Sequence, residues 1–169
     1  MSVSIYQASV PVFQQTLTAI SNVLKKAAAH AEAKKIDPSV FINARLAPDM
    51  HPLARQIQIM SDQAKGGVAR IAGVEIPSFA DTETTFDELQ ARIAKTLDFI
   101  KSVKPAQFDG GATRTVTMKV GGNDMSFPGA TYLFHFVFPN FFFHATTAYA
   151  ILRHNGVEIG KRDFIGPVA

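Results

Sequence analysis

Gly129-Ala-Thr-Tyr-Leu-Phe-His-Phe-Val-Phe-Pro-Asn-Phe-Phe-Phe-His-Ala-Thr-Thr-Ala-Tyr-Ala-Ile-Leu-Arg-His154 is the stretch whose reading decides the fold. No Asp, Glu, Lys or Arg occurs between Asp124 and Arg153, a run long enough to span a bilayer. Against lipid, His135, Pro139, Asn140, His144, Thr146 and Thr147 would each carry a cost. A helix apolar on nearly every side is equally at home in the middle of a protein. We therefore read residues from about Gly129 to about His154 as a buried central helix, stopped by Gly156, and expect no membrane partner.

Such a helix needs amphipathic neighbours, and three segments upstream supply them. Phe13, Leu17, Ile20, Leu24 and Ala28 recur at spacings of three and four, marking a helix from Ser4 or Ser9 to about Ala33. Pro11 either kinks it or lies in its first turn behind Ser9. Leu53, Ile57, Met60, Ala64, Val68 and Ile71 make a second stripe, starting near Asp49 as N-cap and stopping at Gly73. Phe86, Leu89, Ile93, Leu97 and Ile100 make a third, opened by the capping box Thr85-Phe-Asp-Glu88. Between this helix and the last, Val116, Met118 and Val120 alternate, Gly121-Gly122-Asn123 turns, and Met125 and Phe127 return, which predicts a hairpin. The expected fold is all-α: an up-down four-helix bundle with a small β-hairpin before the last helix, one domain over residues 1–169.

Composition removes several function classes. With 47% hydrophobic and 18% charged residues the chain is globular rather than disordered. It has no cysteine, hence no disulfide, thiolate zinc site or thiol nucleophile. That fits a reducing compartment, and the opening Met1-Ser-Val-Ser-Ile-Tyr6 lacks the pattern of a signal peptide, so the expected location is the cytoplasm. The net charge of +3 is spread over separated pairs such as Lys25-Lys26 and Lys34-Lys35, which read as solvated faces; no nucleic-acid partner is expected. Neither the nucleophile elbow, HExxH nor a phosphate-binding glycine signature is present.

On a wheel of about 100° per residue, Leu133, Val137, Ala148 and Ile151 of the last helix share one sector. Asn140 and His144 fall in its middle and Thr147 on its edge. A buried amide and imidazole each cost about 1–3 kcal/mol when left unbonded. Three arrangements would satisfy them: a structural network with Gln56, Gln58 or Asp62 of another helix, a ligand pocket between helices, or a metal site built on His144. The expected pocket comprises Asn140, His144, Thr147, Gln58 and Asp62, taking an unknown small molecule. His135 points opposite to His144 unless Pro139 bends the helix, and His30, His51 and His154 sit near helix ends.

The outer sector is also greasy, holding Phe138, Pro139, Phe142 and Tyr149. Either a second copy of the chain covers it, or the hairpin and the tail from Val157 to Ala169 fold back with Val120, Met125, Phe127, Phe164 and Ile165. The expectation is a homodimer through the last helix.

The closing run His144-Ala-Thr-Thr-Ala-Tyr-Ala-Ile-Leu-Arg-His-Asn-Gly156 resembles the last helix of the DinB/YfiT-like superfamily. Leu46-Ala-Pro-Asp-Met-His-Pro-Leu53, Ala80-Asp-Thr-Glu-Thr-Thr-Phe86 and Gly160-Lys-Arg-Asp-Phe-Ile-Gly166 resemble one uncharacterised branch, a domain of unknown function. The resemblance implies a bundle that binds zinc or nickel through three histidines, one on the second helix and two on the last, and in some members uses the metal in thiol-dependent transfer. Dimers are frequent among those members. His144 matches the final histidine. Asn140 stands four residues earlier where another is expected, Gln58 or Ile59 holds the second-helix position, and Asp62 resembles the aspartate that follows it. One ligand in three implies a degenerate metal site in a ligand-binding or structural protein. The alternative is a metal-dependent hydrolase or thiol-dependent transferase.

Overall fold

The first helix, α1 (Ile5–Lys34), begins at Ser4, whose hydroxyl accepts from the Gln7 amide while the Gln7 side chain reaches back, so Ser4 and not Ser9 is the cap. Ser9 lies inside the helix and donates to the Ile5 carbonyl at 2.6 Å, and Pro11 sits in the interior. This computed structural model describes residues 3–167; Met1, Ser2, Val168 and Ala169, the last two part of the expected tail, lie outside the described residues. A short helix, α2 (Pro38–Ile42), follows on Asp37 and tucks Phe41 and Ile42 into the core. The next, α3 (Leu53–Ala72), starts three residues later than expected, after Pro52 rather than Asp49, because Arg45, Met50 and Leu53 instead fold the 44–53 segment into a turn. The predicted capping box is present at α4 (Phe86–Ser102), between Thr85 and Glu88. A single 3-10 turn (Pro105–Phe108) leads to strands β1 (Thr115–Val120) and β2 (Asn123–Pro128), paired antiparallel with Val120 opposite Asn123.

The last helical run has three parts: α5 (Gly129–Thr131), a π-helical stretch (Tyr132–Val137) and α6 (Phe138–His154). Its entry is fixed by a close approach, since a Cβ on Gly129 would lie 1.9 Å from the Gly111 carbonyl oxygen. Gly67 plays the same part between helices, where a Cβ would meet Val137 at 2.8 Å. These contacts bring the last run tightly against α3.

Helices α1, α3, α4 and α6 form the up-down bundle, with α3 packed between α6 and α4 and α1 against α4. Its core holds the predicted stripes, with Phe13, Leu17, Leu24, Leu53, Ile57, Met60, Leu89, Leu133 and Val137 all fully buried, and adds Phe141, which lay outside them. Helix α4 departs from its stripe at one place. Leu97 is half-buried, and Thr96 instead points inward, bonded to Ser61 of α3 at 2.6 Å. Among the described residues, no helix is long and apolar enough to cross a membrane.

The outer sector of the last helix is arranged differently from the expectation. A final helix, α7 (Lys161–Ile165), lies on α1 through the Lys26–Asp163 pair at 2.6 Å and a Gln15 bond to the Ile165 carbonyl. Phe164 of that helix covers Tyr149, with ring centroids 5.7 Å apart. From the hairpin, Phe127 packs on Tyr132 and Phe136, while Met125 faces solvent. Phe138 and Phe142 are half-buried in an aromatic chain that runs through Phe13 and Phe141. The aromatics left exposed are Phe134 at 49% and Phe143 at 55%.

Candidate functional site

The predicted pocket residues divide into two groups. Asn140 and Thr147 turn back on their own helix: the Asn140 amide donates to the Phe136 carbonyl at 2.6 Å, and the Thr147 hydroxyl to the Phe143 carbonyl at 2.7 Å. Pro139 has no N–H, so the turn across it lacks one backbone donor. The Asn140 amide adds a donor at that turn, where the π-helical stretch gives way to α6. An amide on the core side of the wheel therefore has a backbone task.

Of the three on the last helix, only His144 bonds to another helix. It is 9% exposed, and its Nδ1 lies 2.7 Å from Gln56 Oε1 of α3. The Gln56 amide nitrogen donates to the His51 carbonyl at 2.9 Å, so the atom facing His144 is an oxygen. An amide oxygen only accepts, which requires the proton on Nδ1 and leaves Nε2 with its lone pair. Burial, then the charges of His51 and Arg55, pull the His144 pKa from 6.5 down to about 4. At pH 7 the ring is neutral and its tautomer fixed. The edge of one ring meets the face of the other where Phe143 stacks at 90° beside it.

Gln58 and Asp62 belong to a different assembly, on the side of α3 that faces the loop 76–83. Its centre is Arg92 of α4, whose side chain is 1% exposed. The guanidinium meets Asp62 at 2.9 Å, Asp81 at 2.9 Å and Glu83 at 3.0 Å, and donates to the Ala80 carbonyl. Arg55 pairs with Asp81 and donates to Gln58, and Gln58 in turn donates to Glu83 at 3.0 Å. Lys65, almost fully buried, pairs with Asp62 at 3.0 Å and stands 4.1 Å over the Phe79 ring. Burial alone would raise the Asp81 pKa, but hydrogen bonds and charge from Arg55 and Arg92 hold it below the usual carboxylate value. Loop 76–83 is thus clasped to α3 and α4 by ion pairs. A lone arginine near the edge of an amphipathic stripe reads as surface, and the acids in the following loop give no hint of which cation they meet; Arg92, Asp81, Glu83 and Lys65 were legible only as scattered charges.

These placements decide how well a three-ligand metal centre fits. Gln58 is bonded to Arg55 and Glu83, Asp62 to Arg92 and Lys65, and Asn140 to its own backbone. Among the described residues no three His, Asp or Glu side chains converge into a metal-binding group. The residues present do not fit the three-histidine centre, and only His144 keeps a ligand-like geometry. His135 is exposed and joins no site.

The comparisons agree with this architecture. A solved crystal structure of a DinB family member protein from Shewanella denitrificans is similar over 97% of this chain and 93% of that one, with 40% sequence identity and a TM-score of 0.92. No match was found among curated proteins. The model of the family described as "Domain of unknown function (DUF1993)" matches residues 5–165. With nearly its whole length matched, the chain belongs to this family of unknown function and shares the fold of its DinB relative.

Proposed function

We propose that the chain, as one domain over residues 1–169, is a small-ligand-binding protein in which a histidine that once served a metal now serves as a hydrogen-bond acceptor. The observation that carries this reading is the His144–Gln56–His51 relay. A histidine that ligates a metal commonly donates its second ring N–H to an oxygen, which fixes the tautomer. Here that support persists at 2.7 Å while the other two expected ligands are an asparagine bonded to its own helix and a residue of α3 that is not histidine. Such a nitrogen, kept neutral and flanked by Arg55 and His51, suits a small ligand that donates a proton-bearing group toward Nε2. The test is metal analysis and native mass spectrometry of protein purified without chelator or affinity tag. The reading expects no stoichiometric metal. Stoichiometric zinc or nickel that disappears in His144→Ala would overturn it in favour of a metal-dependent hydrolase or transferase.

A homodimer through the last helix belongs to the same proposal. The exposed rings of Phe134 and Phe143 support it, each about half accessible to solvent.

A further inference from the structure

We propose that the cleft between α3 and the loop 76–79 is a binding site for a small anion, a phosphoryl or carboxylate group, that is separate from the His144 region. The cleft has a volume of about 410 Å³ and is bounded by Asp62, Lys65, Gly66, Arg70, Ser78 and Phe79 among its lining residues. Its chemistry is dominated by donors. Asp62 is the only acid among these residues, and it is committed to both Arg92 and Lys65. Arg55, Lys65 and Arg92 pair with Asp62, Asp81 and Glu83, three cations to three acids. Arg70, which also lines the cleft, has no acidic partner among the described residues.

Arg70 is nonetheless held in place. Its Nη1 donates to the Tyr132 hydroxyl oxygen at 3.0 Å, which takes up one of five guanidinium N–H groups and leaves the tyrosine proton available for a further acceptor. Burial raises the Tyr132 pKa, against the opposing influence of Arg70, so that proton stays on at neutral pH. Gly66 makes room for this arrangement, since a Cβ there would lie 2.6 Å from Arg70 Nη1. Lys65 adds a second cation to the lining, with its ammonium fixed between Asp62 and the Phe79 ring. A planar guanidinium with unused donors and a fixed ammonium is the combination that recognises tetrahedral or planar oxyanions. The Ser78 hydroxyl, on the exposed loop, adds a donor at the rim.

Nitrogen-15 chemical shifts of the Gly66 and Ser78 amides, followed while inorganic phosphate and, separately, acetate are titrated at ionic strength held constant with sodium chloride, test the proposal. A saturable shift with phosphate identifies a phosphoryl site, and one with acetate a carboxylate site. Arg70→Gln should weaken the binding by roughly tenfold or more, the scale of one charged hydrogen bond. Ser78→Asp, on an exposed loop where folding is not at stake, should weaken it comparably by placing a carboxylate at the rim. No saturable shift with either anion would overturn the proposal. So would unchanged binding in Ser78→Asp, or in an Arg70→Gln variant whose circular dichroism matches the parent.

Discussion

His144 Nδ1 and Gln56 Oε1, 88 residues apart in the chain, meet at 2.7 Å across the seam between α6 and α3. Either form of the ring can donate Nδ1–H to that oxygen, so it is burial, not the contact, that favours the neutral imidazole. The His144 pKa of about 4 lies below the value of 6.5 for a free side chain. The unfolded chain therefore takes up a proton before the folded one does, and acidification favours unfolding. Stability from this group is complete above pH 6.5 and is lost progressively as pH falls toward 4, by on the order of 2 kcal/mol. Urea unfolding at pH 7.5 and pH 5 measures it. His144→Gln should flatten the difference, and a proton titration of His144 with a midpoint near 6.5 or above would contradict the account.

Arg92 answers three carboxylates from a buried position. Arg92→Met should therefore destabilise by about 1–3 kcal/mol, since it leaves the nearly buried Glu83 without its cation, while the more exposed Asp62 and Asp81 keep Lys65 and Arg55. Adding Asp62→Leu and Glu83→Gln should recover part of that loss. Denaturant midpoints of the single and triple variants check it, and a single variant within about 0.5 kcal/mol of the parent would mean that water reaches the acids freely.

A metal site can be rebuilt only on the right face of α3. Gln56 faces His144, and Ile59, three residues on, shares that face. Gln58 lies about 200° around the helix, toward Glu83. Ile59→His with Asn140→His should bind zinc together with His144, whereas Gln58→His with Asn140→His should not. Calorimetric zinc titration of the two double variants separates them; equal binding, or none in either, would refute this geometry.

For the dimer the informative side chain is Phe143. Its ring is exposed, so Phe143→Glu should bring a dimer down to 18.4 kDa in light scattering with helicity intact. Phe142→Glu instead places charge against Phe138 and Phe141 and should lower the melting temperature. A parent protein already at monomer mass ends the dimer reading.

Much of the fold was legible because its signals are local. The Thr85–Glu88 box, the apolar stripes and the Gly-Gly-Asn turn all depend on residues a few positions apart. Ends set by longer contacts were not. Helix α7 is held by Lys26 and Gln15 of α1, and nothing within Lys161–Ile165 announces it. His144 was legible as a buried histidine in need of a partner, but the neighbours it meets were not, for a related reason. A wheel shows which residues share one helix face but not which face of α3 meets it, so Gln58 and Asp62 were grouped with His144 when Gln56 was the neighbour. The wheel also assumes an even pitch, which Tyr132–Val137 does not have.

That wide turn has a consequence for how the chain tolerates changes in length. A π-helical turn holds one residue more than an α-turn, and everything beyond it is rotated by about 100° relative to a regular helix. Because the extra residue is taken up within one turn, removing a single residue from Tyr132–Val137 would turn it into an ordinary α-turn and leave the rod beyond it in place, with His144 still on Gln56. The same loss between Gln56 and Gly67 of the regular helix α3 would act as a gear change, leaving either the His144 contact or the Gly67–Val137 seam out of mesh. One wide turn thus gives the last helix a spare residue that α3 lacks.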